Sequence, residues 1–163
     1  MLTYTMSERA SSENVRTVSS CCTGEVIPLE RLSNDVFSSM ILGDGFGVIP
    51  SGGHFVSPSA GVVKDVSASG CDVTIKTDDG LLLIVSIGRQ KAGEWLMTEC
   101  RVCPGDRVEH SSVLWELEPE HYIKRGNPVI AVVIVTNSTG SQAFNIKYGK
   151  LRNIDQPVMK IKI

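Results

Sequence analysis

From Val18 onward the chain is cut into short apolar or alternating runs by Gly, Pro, Asn and Asp, and this punctuation constrains its fold more than any other feature. Strands are expected over residues 24–28, 45–49, 54–57, 61–66, 72–77, 81–87, 107–108, 113–118, 129–134 and 158–163. Asp79-Gly80 joins two of these runs and is a good hairpin turn. Many short strands with turns at regular spacing imply an all-β fold, an antiparallel sandwich or barrel. Short helices fit at 33–39, where Ser33 or Asn34 could cap, and at 119–126.

A length of 163 residues suits one domain with a substantial core. Residues 1–17 are Ser-, Glu- and Arg-rich and aperiodic, and are read as a flexible arm preceding a single β domain over 18–163. A net charge of −2 gives no electrostatic reason to expect nucleic acid or an anionic membrane as partner. No apolar run approaches the roughly 20 residues that cross a bilayer, and the first residues have no hydrophobic export signal. The expected location is the cytoplasm.

The five cysteines cannot all pair within one chain, and reduced thiols are expected. Cys100-Arg101-Val102-Cys103 has redox and zinc spacing, but lacks a second such pair and is read as incidental. Adjacent Cys21 and Cys22 would point to opposite faces of a strand and so could not share a metal. His54, His110 and His121 are scattered and read as surface residues. An internal echo is visible: Ser20-Cys21-Cys22-Thr23-Gly24-Glu25-Val26 and Ser57-Pro58-Ser59-Ala60-Gly61-Val62-Val63 share an S-x-x-x-G-x-V frame. Val102–Val108 adds a third glycine turn entering a strand, similar to hairpins of lipoyl carrier domains. Met159-Lys160 would be the swinging-lysine pair of such a carrier, but it falls in a strand rather than at a hairpin tip.

A broader resemblance follows the chain from end to end. Gly24-Glu25-Val26-Ile27-Pro28-Leu29-Glu30, Asp35-Val36-Phe37-Ser38 with Leu42-Gly43-Asp44-Gly45, Pro50-Ser51-Gly52, Ser57-Pro58-Ser59-Ala60-Gly61, Gly105-Asp106-Arg107-Val108 and Gln156–Lys162 occur in shared order and spacing. In these segments the chain resembles the glucose-type enzyme IIA of the bacterial phosphoenolpyruvate-dependent sugar phosphotransferase system. The resemblance implies the glucose permease IIA β-sandwich of the duplicated-hybrid-motif type.

It also implies a site, and the site is altered. The family's phosphorylated histidine falls on Ser86, in Leu81-Leu82-Leu83-Ile84-Val85-Ser86-Ile87-Gly88, and its supporting histidine on Cys71. The upstream threonine position is Ser69, which keeps a hydroxyl, and Gly70 replaces an asparagine. Beyond the strand, Gln90 replaces an aspartate, while Arg89 and Lys91 bring positive charge to the rim. A serine phosphate is an ester, so a group placed on Ser86 would tend to stay rather than pass on. With serine and cysteine at the two positions, neither the family's zinc-bridging mode nor any other metal or cofactor is expected.

The resemblance therefore implies a catalytically degenerate member that binds proteins of the phosphotransferase or carbon-regulation system. Phe37, Met40, Ile41 and Leu42 correspond to the apolar lip on which family partners dock, flanked by Arg89 and Lys91. Two alternatives stay open: an active component carrying phosphate on Cys71 or Ser86, and a small anion-binding module using Arg89 and Lys91. The hairpin reading makes Cys71 and Ser86 symmetric about the turn and expects them as direct cross-strand neighbours.

Overall fold

The computed structural model describes residues 15–32, 43–89, 96, 98–119, 126–136 and 142–162. Thirteen strands and one 3-10 helix (Leu29–Arg31) follow in chain order. The strands are β1 Val15–Ser19, β2 Gly24–Ile27, β3 Asp44–Pro50, β4 His54–Val56, β5 Gly61–Val66, β6 Asp72–Thr77 and β7 Leu82–Arg89. After them come β8 Arg107–Val108, β9 Val113–Glu116, β10 Val129–Val135, β11 Gln142–Phe144, β12 Gly149–Leu151 and β13 Pro157–Lys162. Ten of them answer the ten expected runs to within two residues at each end.

Three were not expected. β1 pairs with β13 through Val15↔Lys162 and Thr17↔Lys160, so Val15–Thr17 belong to the sheet rather than to a flexible arm. The polar side chains of Arg16 and Thr17 hid a strand that is held by its backbone partner. β11 and β12 are three residues each, too short to show a period. The helix expected at 33–39 lies outside the described residues, as do positions 120–125 of the second.

An eight-stranded sheet in the order β12-β2-β3-β10-β7-β6-β5-β8 is accompanied by a three-stranded sheet, β1-β13-β11, and a two-stranded one, β4-β9. All the described pairings are antiparallel, as the hairpin-rich sequence requires. Side chains from all three sheets meet in one core: Val18 and Met159 from the three-stranded sheet, Phe55 and Trp115 from β4 and β9, and Phe46, Val73, Leu83 and Val133 from the large sheet. This is a β-sandwich.

β10 is buried along its whole length. Val129, Ala131, Val133 and Val135 face the main core, while Ile130, Val132 and Ile134 join Ile27, Leu29 and Leu32 in a second cluster on the outer face. A strand covered on both faces reads as an unbroken apolar run, because neither set of alternating positions meets water.

The internal echo in the sequence has a structural counterpart. Ser20 Oγ donates to the carbonyl of Cys22 at 2.7 Å, and Ser57 Oγ to that of Ser59 at 2.6 Å; both serines are fully buried. Four residues on, Gly24 and Gly61 lie so close to a neighbouring strand that a Cβ would sit 2.0 Å from the Ile49 oxygen and 2.2 Å from the Lys76 oxygen. Any side chain there would force the strands apart. The same small-residue device thus brings the chain into β2 and into β5.

Candidate functional site

The site is built on the β6–β7 hairpin. Gly80 N donates to Thr77 O at 3.0 Å, Thr77 N to Leu81 O at 2.8 Å, and Gly80 takes a positive φ of 95°. Three residues, Asp78 to Gly80, therefore form the loop, with glycine at the left-handed position. The Thr77 hydroxyl donates to the Asp79 carboxylate and accepts from Leu81 N, closing the loop from within.

An odd loop moves the register by one residue from the expected symmetry. Asp72, not Cys71, is the cross-strand partner of Ser86. The expectation placed the centre between two residues, whereas the hairpin turns about Asp79 itself. Cys71 lies one step outside the pair, where its carbonyl accepts from Ile87 N at 3.0 Å.

Ser86 is 2% exposed and sits between Asp72 on β6 and Val132 on β10. Its Oγ donates to Asp72 Oδ1 at 2.5 Å, the short distance of a hydroxyl–carboxylate bond. Leu83, Val85 and Ile87 point into the main core, so Ser86 lies in the alternate row, beside the outer cluster. The carboxylate is the feature that sequence reasoning missed. Its signal was available in the Asp78-Asp79-Gly80 loop, whose length decides which residue of β6 stands opposite Ser86.

Asp72 is positioned by the turn before it. Ser67 Oγ accepts from Asp72 N at 3.2 Å, and Ser67 N donates to Asp72 O at 2.9 Å. Ser69, the retained hydroxyl position, lies 3.0 Å from Ser67 Oγ and accepts from Cys71 N at 3.3 Å. Gly70 holds a φ of 76° at the bend, and its carbonyl accepts the indole N–H of the buried Trp115 at 2.6 Å. The serine-rich stretch thus serves as a local brace.

Cys71 is half-buried against the main core, with its thiol 3.4 Å from the Leu96 carbonyl oxygen. Burial pushes the thiol pKa up; the bond to Ser69 opposes this, and the neighbouring Asp72 and Cys100 add to it. Arg89 ends β7 with its guanidinium reaching the Asn127 carbonyl at 3.4 Å. Phe37, Met40, Ile41, Leu42 and Lys91 lie outside the described residues.

The remaining candidates resolve into structure. His54 is exposed beside Glu116 at 3.8 Å. His110 is less exposed than a surface histidine was expected to be, held between Asp155 at 3.2 Å and the Ser57 carbonyl at 3.1 Å. His121 lies outside the described residues. Cys103 N donates to Asp106 Oδ2 at 2.8 Å in the turn before β8, and burial raises the Cys100 thiol. Cys21 and Cys22 do not point to opposite faces: both are buried in the main core, at a bend rather than in a strand. The Cys22 thiol is raised first by its bond with Cys21, then by burial. Met159 is buried in β13, paired with Val18, far from any carrier-domain turn. Among the described residues no three acidic, histidine or cysteine side chains could hold a metal ion. No described helix is long and apolar enough to cross a membrane.

Sheet order and core place the molecule in the class of glucose permease IIA β-sandwiches. Glucose permease IIA from Mycoplasma capricolum superposes on 90% of this chain and 95% of its own with a TM-score of 0.75, at 22% identity. Sequence similarity is more specific than the shared fold. The family described as phosphoenolpyruvate-dependent sugar phosphotransferase system, EIIA 1, matches residues 16–140. The glucose-specific EIIA component of Staphylococcus aureus (strain COL) is 35% identical over 127 residues, 76% of this chain and 75% of that protein. The glucose-specific EIIA component of Staphylococcus epidermidis is 31% identical over 128 residues, 77% of this chain and 76% of the other. The chain belongs to the EIIA 1 family of the sugar phosphotransferase system.

Proposed function

We propose that this EIIA-family protein does not relay phosphate and acts as a regulatory, protein-binding component of the sugar phosphotransferase system. The observation that supports this most is the buried Ser86 hydroxyl, bonded to the Asp72 carboxylate at 2.5 Å. Relay requires a phosphorylated group of nearly the same transfer potential as its donor. An imidazole N–P bond meets that requirement, and a serine ester does not. Phosphate on Ser86 would also stand beside Asp72. Two negative charges against one at about 4 Å cost on the order of 2 kcal/mol even at the dielectric of water.

Cys71 is a weak substitute. Burial keeps its thiol protonated to higher pH, and the thiolate is the nucleophilic form. Arg89, whose guanidinium is engaged with the Asn127 carbonyl, favours neither relay nor a free-anion site. The partner surface in this reading is the lip of Phe37, Met40, Ile41 and Leu42, together with Arg89 and Lys91. Its partners are cytoplasmic proteins of the phosphotransferase or carbon-regulation system.

The test is phosphorylation of the full chain with phosphoenolpyruvate, enzyme I and the general phosphocarrier protein, read as acid-labile phosphate. None is expected on the unmodified protein. Cys71→Ala and Ser86→Ala identify the carrier if any appears. Uptake at the rate of the Staphylococcus aureus relative would overturn the proposal. Combining Cys71→His with Ser86→His should create detectable phosphohistidine, and Ser86→His alone less.

A further inference from the structure

Two large apolar side chains are exposed among the described residues: Ile49 at 39%, on β3 and two strands in, where Glu25 of β2 stands between it and Lys150, and Tyr148 at 52%, next to a strand edge. That edge is β12, the terminal strand of the eight-stranded sheet, which pairs with β2 alone through Gly149↔Val26, Lys150↔Glu25 and Leu151↔Gly24. Among the described residues, no backbone bond from Gly149, Lys150 or Leu151 runs to anything other than β2. Gly149 has open space around it: a Cβ built there meets nothing within 4 Å. Two hollows of about 330 Å3 adjoin the strand, one reaching over β2 to β3 and the other reaching Gln156 and Pro157. Ile49 and Arg152 line one, Tyr148 and Lys147 the other, and Lys150 lines both.

The charge here runs against that of the whole chain. The net charge of the protein is −2, yet Lys147, Lys150 and Arg152 cluster at this edge with Glu25 as the one acid lining the hollows. None of the three cations forms an ion pair among the described residues. Exposed strand edges are ordinarily guarded by charge, and lysine is the usual guard. Guarding alone leaves unexplained why the exposed Tyr148 stands among the cations.

We propose that the β12 edge is a docking site for an extended acidic segment of a partner protein, which adds to the sheet as a further strand. Such a segment satisfies the three features together. Its backbone pairs with the open edge, its Asp or Glu side chains meet Lys147, Lys150 and Arg152, and its alternate apolar side chains enter the hollow beside Tyr148. A small anion would leave Tyr148 unused, and a membrane surface would leave the strand edge unpaired. β12 stands four strand positions from β7, about 19 Å along the sheet, so this site is separate from Ser86 and does not depend on how that residue is read.

The test uses two synthetic peptides of alternating glutamate and valine, one with an ordinary backbone and one N-methylated at alternate residues, titrated into the isotope-labelled full chain by NMR. Saturable shifts are expected at Ile49 and Tyr148–Arg152, and at least about tenfold weaker binding of the N-methylated peptide. Combining Lys150→Glu with Arg152→Glu should weaken the ordinary peptide by about tenfold or more, and Tyr148→Ser should weaken it at unchanged charge. Amide spectra of the free variants confirm their fold. The proposal is overturned by absence of saturable binding, by shifts that map to the β6–β7 hairpin instead, or by equal binding of both peptides. Equal binding would identify a simple anion site. Tighter binding to vesicles containing phosphatidylglycerol than to the peptide would also overturn it, in favour of a lipid surface.

Discussion

β10 and β12 belong to the same sheet and are treated by the fold in opposite ways. β10 pairs on both edges, with β3 and β7, and is buried on both faces. β12 pairs on one edge only and exposes Gly149 and Lys150. The first position leaves no freedom, because each side chain fills a core and each edge completes a ladder. The second leaves backbone, charge and apolar surface available. The Ser86–Asp72 pair lies next to the constrained strand, which is why its geometry is tightly set.

The largest expected effect tests that contrast directly. Phe46, fully buried and paired with Val133 of β10, should lose about 3–5 kcal/mol of stability on replacement by alanine. Lys150→Ala at the edge should change stability by no more than about 0.5 kcal/mol. Urea unfolding midpoints measure both, and equal shifts would break the comparison.

A smaller effect is expected at the site. Ser86→Ala removes a hydrogen bond to a carboxylate and should cost about 2 kcal/mol. A double-mutant cycle with Asp72→Ala should return a coupling of roughly 1–2 kcal/mol, since the two side chains touch. Coupling indistinguishable from zero would return the register to the Cys71–Ser86 alignment expected from sequence.

The smallest effect concerns the thiols. Cys22, Cys71 and Cys100 all have pKa values raised in the folded state, with burial a cause in each and the Cys21 contact leading at Cys22. A raised thiol pKa means that the unfolded chain loses its protons first. The thiols' contribution to stability should therefore be constant below about pH 8 and fall as pH rises past the ordinary thiol value of about 8.5. Melting temperatures recorded across that range check the sign; a rise on the alkaline side would contradict it. Alkylation at neutral pH should likewise be slower at Cys71 than at exposed Cys103.

Much of this was legible without coordinates. The fully buried β10 announces itself as Val129-Ile130-Ala131-Val132-Val133-Ile134-Val135, and β5, β6 and β8 fall at the expected residues. Gly24 and Gly61 stand where the serine–glycine echo put them. β1 was not legible: a polar strand is defined by what pairs with it, and β13 is more than a hundred residues away in sequence. The hollow shared by Ile49 and Lys150 was equally invisible, because one lies on β3 and the other on β12.

The sequence by itself determined the all-β class and the family, because these depend on residue type and local spacing. Only the tertiary structure decided that Ser86 faces Asp72, that Cys21 and Cys22 share one core, and that cations and apolar side chains meet at the β12 edge. Register turns on a single residue of loop length, and a surface patch on which distant strands become neighbours. Both are settled by the closing of the sheets on a common core, where one slip would carry buried side chains to the solvent face.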